Sequence, residues 1–415
     1  MSRAPGAEKV GGRERVLVAM SGGVDSSVAA AVLKERGFEV IGATMQVWPG
    51  FLPVGESEGG CCSLAAIEDA RRVAAIIGIP YYVLNFRERF EEEVITYFAR
   101  EYASGRTPNP CIRCNQRIKF GHLLRKAREM GAAFVATGHY ARVRKDPETG
   151  RWLLLRAKDP QKDQTYVLYS MTQDELAHTL FPIGDFTKDE VRGMAASLGL
   201  PVAEKRESQE ICFIPDNDYR RFLREYLPGI AKHGPILDLD GNVVGEHEGV
   251  AFYTIGQRKG LGIASAEPLY VVDIDPAENA VVVGKAGDLL DAGLVAQGLN
   301  WIPFDRLEAP IRVEAKIRYR TPGVSATVAP VSEAAARWDE RAGPELSQVG
   351  PLRDEVGEAG PAEAAETVEV RFVTPQRAAT PGQSVVFYDG DVVVGGGVIS
   401  KRLRASWRRA GADRR

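Results

Sequence analysis

A short glycine-rich turn between an apolar run and a helical segment constrains this chain more than any other feature. Residues 16–20 form an apolar run typical of a buried parallel strand. Residues 21–27, with the sequence SGGVDSS, follow it, and the Ala-rich segment 28–36 then has helical periodicity and ends before Gly37, a typical C-cap residue. Together these elements predict an anion-binding site, because backbone N–H groups and the helix dipole point at the turn.

The side chains of the turn indicate which anion it binds. The hydroxyls of Ser21, Ser26 and Ser27 add donors, and the Asp25 carboxylate would hold the Mg²⁺ that accompanies a nucleotide. The turn has no lysine and no G-x-x-x-x-G-K-[ST] spacing, which excludes a Walker A site. It resembles the pyrophosphate-binding loop of ATP pyrophosphatases, which cut ATP between the α and β phosphates to adenylate a carbonyl. An ordinary Ser/Gly turn is the alternative, which the flanking strand and helix disfavour.

The first third of the chain alternates apolar runs with helical segments, which predicts the α/β fold class with a doubly wound parallel sheet. The runs are residues 16–20, 40–44, 81–85 and 134–137. Ligands bind such sheets at the carboxyl ends of the strands. Met20, Met45 and Gly138 fall at those ends, so we expect them to converge on one nucleotide.

Two local patterns follow. The sequence DPETG at residues 146–150 predicts a hairpin turn between strands at residues 141–144 and 152–156, and residues 158–164 are polar and expected to be exposed. Residues 187–190 have capping-box spacing before a helix expected to end at Leu198.

The pattern changes near residue 216, where alternating β segments with Gly and Pro turns begin. Three domains are expected: a catalytic α/β domain over residues 14–215, a small β-rich domain over residues 216–290 and a β-barrel-like domain over residues 291–404. Residues 333–367 form an acidic Ala/Glu/Gly/Pro segment that cannot bury much apolar area, which predicts a mobile insertion between barrel strands. The expected tails are a flexible one at residues 1–13 and a basic one at residues 405–415.

The net charge of −3 argues against general attraction to nucleic acid, but the charge is unevenly distributed. Residues 333–367 carry nine acidic residues against three arginines, so the rest of the chain is slightly basic. Residues 113–128 contain seven basic residues, counting His122, and no acid. A solvated helix face would explain such a stretch, but its start at a pair of cysteines favours contact with phosphates.

Apolar patterning and cysteine content indicate a cytoplasmic protein. No apolar run reaches the ~18 residues of a membrane span, and the N-terminus lacks a signal-peptide core, so we expect no membrane contact. Five cysteines are few and odd in number, which does not suggest a disulfide framework. Cys61 and Cys62 are interpreted as a loop or core pair.

Two cysteines three residues apart lie in the sequence TPNPCIRCN at residues 107–115. A helix N-terminus and Arg113 would lower the pKa of a thiol there, and a thiolate is a competent nucleophile at neutral pH. Cys212 supplies a third thiol in a loop after the capped helix. Thioredoxin-like and zinc sites share the C-x-x-C spacing, but no second C-x-x-C or H-x-x-x-H pair completes a closed zinc site.

The order of these and further motifs resembles that of bacterial tRNA-specific 2-thiouridylases, which thiolate the wobble uridine of tRNA. The matches lie at residues 21–27, 107–115, 117–120, 136–140, 162–166, 208–213, 254–262, 318–320 and 380–384. They cover nearly the whole chain except the N-terminal tail and the acidic insertion. The resemblance implies a sheet of the adenine nucleotide alpha hydrolase type and a two-cysteine sulfur relay acting on an adenylated base.

The resemblance also assigns roles to residues of this sequence. ATP and Mg²⁺ are the implied cofactors, with the metal held by Asp25 through the nucleotide. The implied ATP contacts are Ala19, Met20, Ser21, Gly22, Gly23, Val24, Asp25, Ser26, Met45 and Gly138. The implied contacts with the target base are Asn109, Pro110 and Cys111. Positions that touch the tRNA are matched by His139, Lys162, Asp163, Gln164, Arg318, Tyr319 and Gln383.

The implied catalytic residues are Cys114 and Cys212. Cys212 would receive a persulfide from a sulfur-carrier protein, and Cys114 would then act on it, either releasing sulfide or ending in a Cys114–Cys212 disulfide. Adenylation turns the poor leaving group at C2 of uracil into AMP, and two cysteines around one pocket supply effective molarity. A wobble uridine can be splayed out of the anticodon loop, as single-stranded RNA recognition requires. The enzyme is expected to be a monomer.

One departure from the family pattern suggests a different source of sulfur. Many members have aspartate at the position of Cys111, a candidate base that a thiol cannot replace in the same way. Cys111, Cys114 and Cys212 offer three thiolates, enough to ligate a [4Fe–4S] cluster with one open iron. A cluster-bound sulfide would then replace the persulfide relay, which stays the main interpretation.

Two other functions fit part of the sequence. An enzyme with the same ATP site could be a synthetase or a sulfurtransferase for another tRNA position, although a synthetase that uses ammonia needs no thiols. A non-enzymatic tRNA-binding or sulfur-carrier module is the second alternative. It has no need of Ser21, Asp25 and Ser26, which are all present.

Overall fold

A computed structural model describes residues 13–48, 64–205, 211–331 and 366–404, whose strands form three sheets. In chain order the strands are β1 (Arg15–Ala19), β2 (Glu39–Gln46), β3 (Tyr81–Asn85), β4 (Phe134–Thr137), β5 (Arg142–Lys145), β6 (Trp152–Leu155), β7 (Thr179–Leu180), β8 (Gly234–Leu237), β9 (Val243–His247), β10 (Tyr270–Asp275), β11 (Ala280–Gly284), β12 (Leu290–Trp301), β13 (Ile311–Lys316), β14 (Val324–Pro330), β15 (Thr367–Arg377), β16 (Ser384–Asp389) and β17 (Val392–Arg404). The α-helices are α1 (Val24–Glu35), α2 (Leu64–Ile77), α3 (Arg87–Phe90), α4 (Thr96–Ala103), α5 (Pro110–Arg113), α6 (Leu123–Glu129), α7 (Gln173–Ala177), α8 (Lys188–Ser197) and α9 (Tyr219–Tyr226).

The N-terminal sheet is parallel, with strand order β3-β2-β1-β4-β7. Both of its faces are covered, because Leu17 of β1 packs into one hydrophobic cluster while Val16 and Val18 pack into another. Strand order changes direction at β1, so a ligand crevice is expected beside the carboxyl end of this strand. The predicted doubly wound α/β fold is confirmed.

The helix boundaries follow from local sequence signals. Helix α1 begins four residues earlier than the predicted segment, at Val24, and ends as predicted before Gly37, which has φ +91°. Helix α8 has the predicted capping box, in which the Thr187 hydroxyl accepts from the Glu190 amide and the Glu190 carboxylate accepts from the Thr187 amide. Its C-cap is Leu198, also as predicted.

Two helical stretches contain π segments that the sequence pattern did not predict. Glu91–Ile95 joins α3 to α4, and Cys114–His122 joins α5 to α6. A π segment widens the helix and redirects its side chains, and such segments are frequent at functional sites. The second one begins at the first residue after α5, which is Cys114.

The central sheet is small and has strand order β10-β11-β8-β9. The alternating patterns at residues 269–275 and 280–284 predict β10 and β11, whereas no such pattern predicts β8 or β9, and α9 was not predicted. Pro235 in β8 and Gly245 in β9 interrupt the alternation that marks a strand. The small β-rich region therefore also contains one amphipathic helix.

Six strands close into a barrel in the order β12-β15-β14-β13-β16-β17, with β12 also paired to β17. This confirms the predicted barrel-like fold. The hairpin predicted at residues 141–156 is also present as β5 and β6. It does not extend the N-terminal sheet, because β6 pairs with β17 at Leu155 and Val392 and lengthens the barrel sheet to eight strands.

Some predictions concern residues outside the described ranges: the tails at residues 1–12 and 405–415, Cys61, Cys62 and residues 333–365 of the acidic segment. The last two residues of that segment are described. The Glu366 carboxylate accepts from the Trp301 indole at 2.9 Å, and Thr367 begins β15. Within the described ranges, no helix combines the length and apolarity that a membrane span requires.

Candidate active site

The glycine-rich turn lies at the carboxyl end of β1. The Met20 amide donates to the Ala43 carbonyl at 2.8 Å, which fixes the end of β1 to β2. The Ser21 amide donates to Ser26 Oγ at 3.1 Å and folds the turn back onto α1. Gly23 is the N-cap residue and has no side chain to bond the first helical N–H groups. The first amides of α1 thus receive no side-chain cap from Gly23, which suits an anion site at a helix N-terminus.

Two glycines allow the close contacts of this turn. Gly22 has φ +66°, and a Cβ there would lie 2.2 Å from the Ala66 carbonyl oxygen. A Cβ on Gly138 would lie 2.5 Å from the Ser26 amide nitrogen. The structure therefore packs Gly138, at the end of β4, directly against the turn that follows β1.

The three serine hydroxyls differ in availability. Ser21 is exposed, and its Oγ lies 3.3 Å from Ser26 Oγ. The Ser27 hydroxyl is fully buried and donates to the Gly23 carbonyl at 2.8 Å. Ser26 is also buried, and its hydroxyl donates to the same carbonyl at 3.3 Å. Both hydroxyls thus contribute to the start of α1, and their expected role as phosphate donors stays a prediction.

Asp25 lies in a contact that the sequence did not reveal. The Lys188 ammonium, at the start of α8, donates to the two Asp25 carboxylate oxygens at 2.8 and 2.9 Å, and the Tyr140 hydroxyl donates to one of them at 2.7 Å. The Lys188 side chain is 7% exposed and that of Asp25 is 27% exposed. The turn thus lacks a lysine of its own but receives one from a distant helix.

Lys205 is a second lysine at the turn. Its ammonium donates to the Gly22 carbonyl at 3.1 Å and to the Asp69 carboxylate at 2.6 Å.

The sequence contains one signal for the role of Lys188, because a cation in the first turn of a helix opposes the helix dipole. This unfavourable position of Lys188 in α8 is compensated by its ion pair with Asp25.

Residues 107–111, which we call the base loop, contain the predicted contacts with the target base. Asn109 caps α5, because its Oδ1 accepts from the amides of Cys111 at 3.1 Å and Ile112 at 3.3 Å. Pro110 occupies the first helical position, where a missing N–H costs nothing. Cys111 is exposed in the first turn of α5, whereas Pro110 is buried.

The two predicted catalytic cysteines share one hydrophobic cluster. Cys114 and Cys212 are half-buried and pack against the cluster that Ala19 and Met45 also contact. The Cys212 segment is held by Phe213, whose ring lies 5.3 Å from Phe98 and 5.7 Å from Phe90. The structure therefore brings two predicted ATP contacts and both predicted thiols to the same side of the N-terminal sheet.

We tested whether the residues suit the implied metals. Mg²⁺ is commonly held by one or two carboxylates together with substrate phosphates, so Asp25 is a suitable ligand beside a bound nucleotide. For a [4Fe–4S] cluster the arrangement does not fit. Among the described residues, no three Cys, His, Asp or Glu side chains come together as a metal-binding group. Cys111, Cys114 and Cys212 therefore form no preassembled cluster site.

His139, a predicted tRNA contact, is only 8% exposed. Its Nδ1 lies 2.7 Å from Thr137 Oγ1, and its Nε2 lies 3.5 Å from the Lys119 ammonium. Burial and the positive charge of Lys119 hold the pKa of His139 well below its usual range. His139 is therefore neutral at pH 7 and offers no charge to a phosphate.

The predicted tRNA contacts at residues 162–164 differ in burial. Asp163 is buried and accepts from the Thr165 hydroxyl at 2.8 Å and the Ala157 amide at 3.1 Å. The expectation that residues 158–164 are exposed is wrong for this side chain. Gln164 Oε1 accepts from the Tyr140 amide at 2.9 Å, and the side chains of Lys162 and Gln164 are half-buried.

The remaining predicted tRNA contacts come from the barrel. Arg318 donates to the Ala378 carbonyl at 2.7 Å, and Gln383 Nε2 donates to the Thr107 carbonyl at 2.9 Å. Tyr319 is 37% exposed, and its ring centroid lies 6.1 Å from that of Tyr166. Arg318 and Gln383 thus already have structural partners, and Gln383 reaches the base loop.

Three family models match the chain. The tRNA methyl transferase HUP domain matches residues 14–216, the tRNA methyl transferase PRC-barrel domain matches residues 220–285, and the aminomethyltransferase beta-barrel domain matches residues 358–399. A solved 4-thiouridine synthetase–RNA complex with bound ATP is similar at 17% identity over 52% of this chain and 50% of that chain, with a TM-score of 0.31. We draw no argument from a likeness at that level.

Full-length relatives match much more closely. A tRNA-specific 2-thiouridylase MnmA of Heliobacterium modesticaldum is 54% identical over 94% of each chain. Enzymes of the same name from Moorella thermoacetica and Desulforamulus reducens are 54% and 51% identical, over 92% and 94% of this chain and 98% of each relative.

Proposed function

The chain belongs to the tRNA-specific 2-thiouridylase family, and we propose that it is an ATP-dependent sulfurtransferase that converts the wobble uridine of tRNA to 2-thiouridine. One observation carries the proposal from the structure. Ala19 and Met45, beside the glycine-rich turn, pack against the same hydrophobic cluster as Cys114 and Cys212. The proposal therefore has the activating nucleotide and the sulfur nucleophile act on the side of the N-terminal sheet that this cluster covers.

ATP binds with its phosphates at the glycine-rich turn. The amides at the start of α1 and the hydroxyls of Ser21 and Ser26 donate to phosphate oxygens, and the dipole of α1 favours their negative charge. The Lys188 ammonium, which is bonded to Asp25, offsets the negative charge of the phosphates. Asp25 is the ligand for the Mg²⁺ that accompanies the nucleotide. Gly138 lets the end of β4 pack directly against the turn and so holds the phosphate-binding backbone in place.

The first chemical step is adenylation of the target base. The O2 oxygen of uridine attacks the α phosphate, the bond between the α and β phosphates breaks, and pyrophosphate leaves. The base loop presents the uridine through Asn109, Pro110 and Cys111. The Asn109 side chain accepts hydrogen bonds from the first amides of α5. These bonds hold the base loop in one conformation before the uridine arrives.

Sulfur transfer follows at the activated C2 carbon. A sulfur-carrier protein leaves a persulfide on Cys212, and its terminal sulfur becomes the sulfur of 2-thiouridine while AMP departs. Cys114 supplies the second thiol. The sulfane sulfur gains two electrons, which come from oxidation of Cys114 and Cys212 to a disulfide. An external thiol reductant then restores both cysteines.

The tRNA is the macromolecular partner. Tyr319 is exposed and Lys162 is half-buried, so both side chains can contact it directly. Buried His139 and Asp163 act through their neighbours, because neither presents a charge to the surface. A monomer is sufficient for this arrangement, since every residue named comes from one chain.

Product analysis tests this function. The enzyme would be incubated with ATP, Mg²⁺, a persulfide donor and an unmodified tRNA that has uridine at the wobble position. We expect 2-thiouridine at that position, with one AMP and one pyrophosphate formed per modified base. Thiolation at a different position of the tRNA would support the rival sulfurtransferase. Tight tRNA binding without any pyrophosphate would support the non-enzymatic alternative.

A further inference from the structure

The base loop is bonded to the barrel through its backbone. Gln383 Nε2 donates to the carbonyls of Thr107 at 2.9 Å and Pro108 at 3.3 Å. In the other direction, the Thr107 amide donates to the Pro381 carbonyl at 2.9 Å. Three hydrogen bonds therefore join Thr107 and Pro108 of the base loop to residues 381–383, which lie more than 270 positions later in the chain.

Close packing reinforces these hydrogen bonds. Gly382 has φ +89°, and a Cβ at this position would lie 2.8 Å from the Thr107 amide nitrogen and 3.0 Å from the Thr107 carbonyl oxygen. The central domain contacts the same residue, because Thr107 Oγ1 donates to Thr254 Oγ1 at 3.2 Å. Thr107 is thus held by the barrel on one side and by the central domain on the other.

Residues 378–383, which we call the barrel loop, are themselves firmly held. Arg318 donates to the Ala378 carbonyl at 2.7 Å, and Ala378 is buried with φ +55°. The Ala379 amide donates to the Asp291 carboxylate at 2.8 Å. The Gln383 carbonyl accepts from the Ile399 amide in β17 at 2.8 Å. A segment fixed at both ends can serve as a rigid support for another loop.

We propose that the barrel loop positions the base loop, and that Gln383 is the positioning residue at this junction. The inference rests on the proposed function, because it assigns the base loop to the target uridine. A glutamine amide has two N–H donors, and Gln383 uses both on base-loop carbonyls. Only its Oε1 remains for the tRNA, so Gln383 can accept a hydrogen bond from a ribose hydroxyl or base N–H but cannot donate to a phosphate.

This arrangement makes the barrel part of the active site. A tRNA that contacts the barrel lies on the same residues that fix Thr107 and Pro108, the two residues directly before Asn109, which caps α5. Correct seating on the barrel and correct placement of the uridine therefore depend on one junction. Weakening the junction should slow the reaction of bound tRNA more than it weakens tRNA binding.

Two variants break the junction in different ways. Gln383→Met keeps the side-chain length but removes both donors, whereas Gly382→Ala keeps Gln383 and places a methyl group against Thr107. Gly241→Ala is the matched control, since Gly241 has φ +86° and nothing within 4 Å of a Cβ. It carries the same backbone strain without touching the base loop.

Hydrogen exchange and single-turnover thiolation would be measured on the full-length protein. In both junction variants we expect amide exchange in residues 105–112 to rise about tenfold. The single-turnover rate with saturating tRNA should fall by a factor of about 10 to 100, while the Kd for tRNA changes less than about threefold. The Gly241 variant should match wild type in all three measurements.

Protection of β16 and β17 in the same exchange data reports whether each variant has folded, and Gln383→Met decides the question if Gly382→Ala does not fold. Unchanged exchange in residues 105–112 would overturn the proposal. Faster exchange with an unchanged single-turnover rate would overturn it as well. A wild-type enzyme that makes no 2-thiouridine would refute the proposed function instead, and the exchange data would still show whether the junction holds the loop.

Discussion

The Lys188 ammonium lies 2.8 and 2.9 Å from the two carboxylate oxygens of Asp25, which precedes it by 163 positions. Asp25 belongs to the glycine-rich turn and Lys188 to the first turn of α8. The pair places a buried cation at an anion site whose own sequence contains no lysine. The basic side chain of the proposed nucleotide site is thus contributed by tertiary structure.

Replacing Lys188 by methionine should impair nucleotide chemistry. The variant keeps the apolar stem but leaves the Asp25 carboxylate without its ammonium partner and the phosphates without a neighbouring cation. We expect tRNA-dependent pyrophosphate release to fall about 10²-fold. Lys158→Met is the control, because Lys158 forms a half-exposed pair with Glu190 of the same helix at 3.0 Å. Equal rates in the two variants would contradict the role of Lys188.

Adding one methyl group at Gly138 should block the nucleotide site. The new Cβ in Gly138→Ala would lie 2.5 Å from the Ser26 amide nitrogen and would displace the start of α1. We expect ATP affinity, measured by equilibrium dialysis, to fall at least about tenfold. Gly193→Ala in α8 is the matched control, since a Cβ there meets nothing within 4 Å. ATP binding as tight as in the control would refute this reading of Gly138.

Serine substitutions should separate the three thiols. Cys114→Ser and Cys212→Ser each remove one partner of the relay, so we expect no 2-thiouridine but retained ATP-dependent adenylation. Cys111→Ser should still form 2-thiouridine in air, because the relay does not use that thiol, and any fall in rate should reflect only the altered contact with the uridine. Loss of thiolation in Cys111→Ser, together with iron in anaerobically purified wild type, would favour the cluster. An active Cys212→Ser variant would contradict the relay directly.

Buried His139 should make the protein less stable in mild acid. The folded state keeps the imidazole neutral because its pKa lies well below 6.5, whereas the unfolded chain binds a proton near that pH. Between pH 7.5 and 5.5 this difference lowers the free energy of unfolding by roughly 1 kcal/mol. Urea unfolding should show that loss in wild type and its absence in His139→Gln. An identical pH dependence in both proteins would contradict the lowered pKa, because it would mean that His139 binds its proton equally well in the folded and unfolded states.

Local sequence signals were sufficient for the elements that build the nucleotide site. The apolar run of β1, the glycine-rich turn and Gly37 after α1 are all consecutive features, and each was predicted from neighbouring residues. The capping box of α8 was read correctly for the same reason. What could not be read was the partner of its first residue, Lys188, because that contact depends on how α8 packs against α1.

Burial of polar side chains was the other property that sequence did not reveal. Asp163 lies in a polar stretch that suggested exposure, yet its carboxylate is the hydrogen-bond acceptor of the turn at Thr165. Gln383 was assigned to the tRNA by resemblance, and only the three-dimensional contact with Thr107 shows its link to the base loop. Both cases depend on tertiary contacts over sequence distances that no periodic pattern encodes.

The central claim is that a nucleotide site and a sulfur relay act on one uridine in one pocket. The direct test is a single-turnover reaction of enzyme whose Cys212 has been loaded with a ³⁴S persulfide, mixed with unmodified tRNA in the presence or absence of ATP. We expect ³⁴S in 2-thiouridine at the wobble position only when ATP is present, with one AMP released per labelled base. Unlabelled 2-thiouridine, or labelled product formed without ATP, would contradict the account.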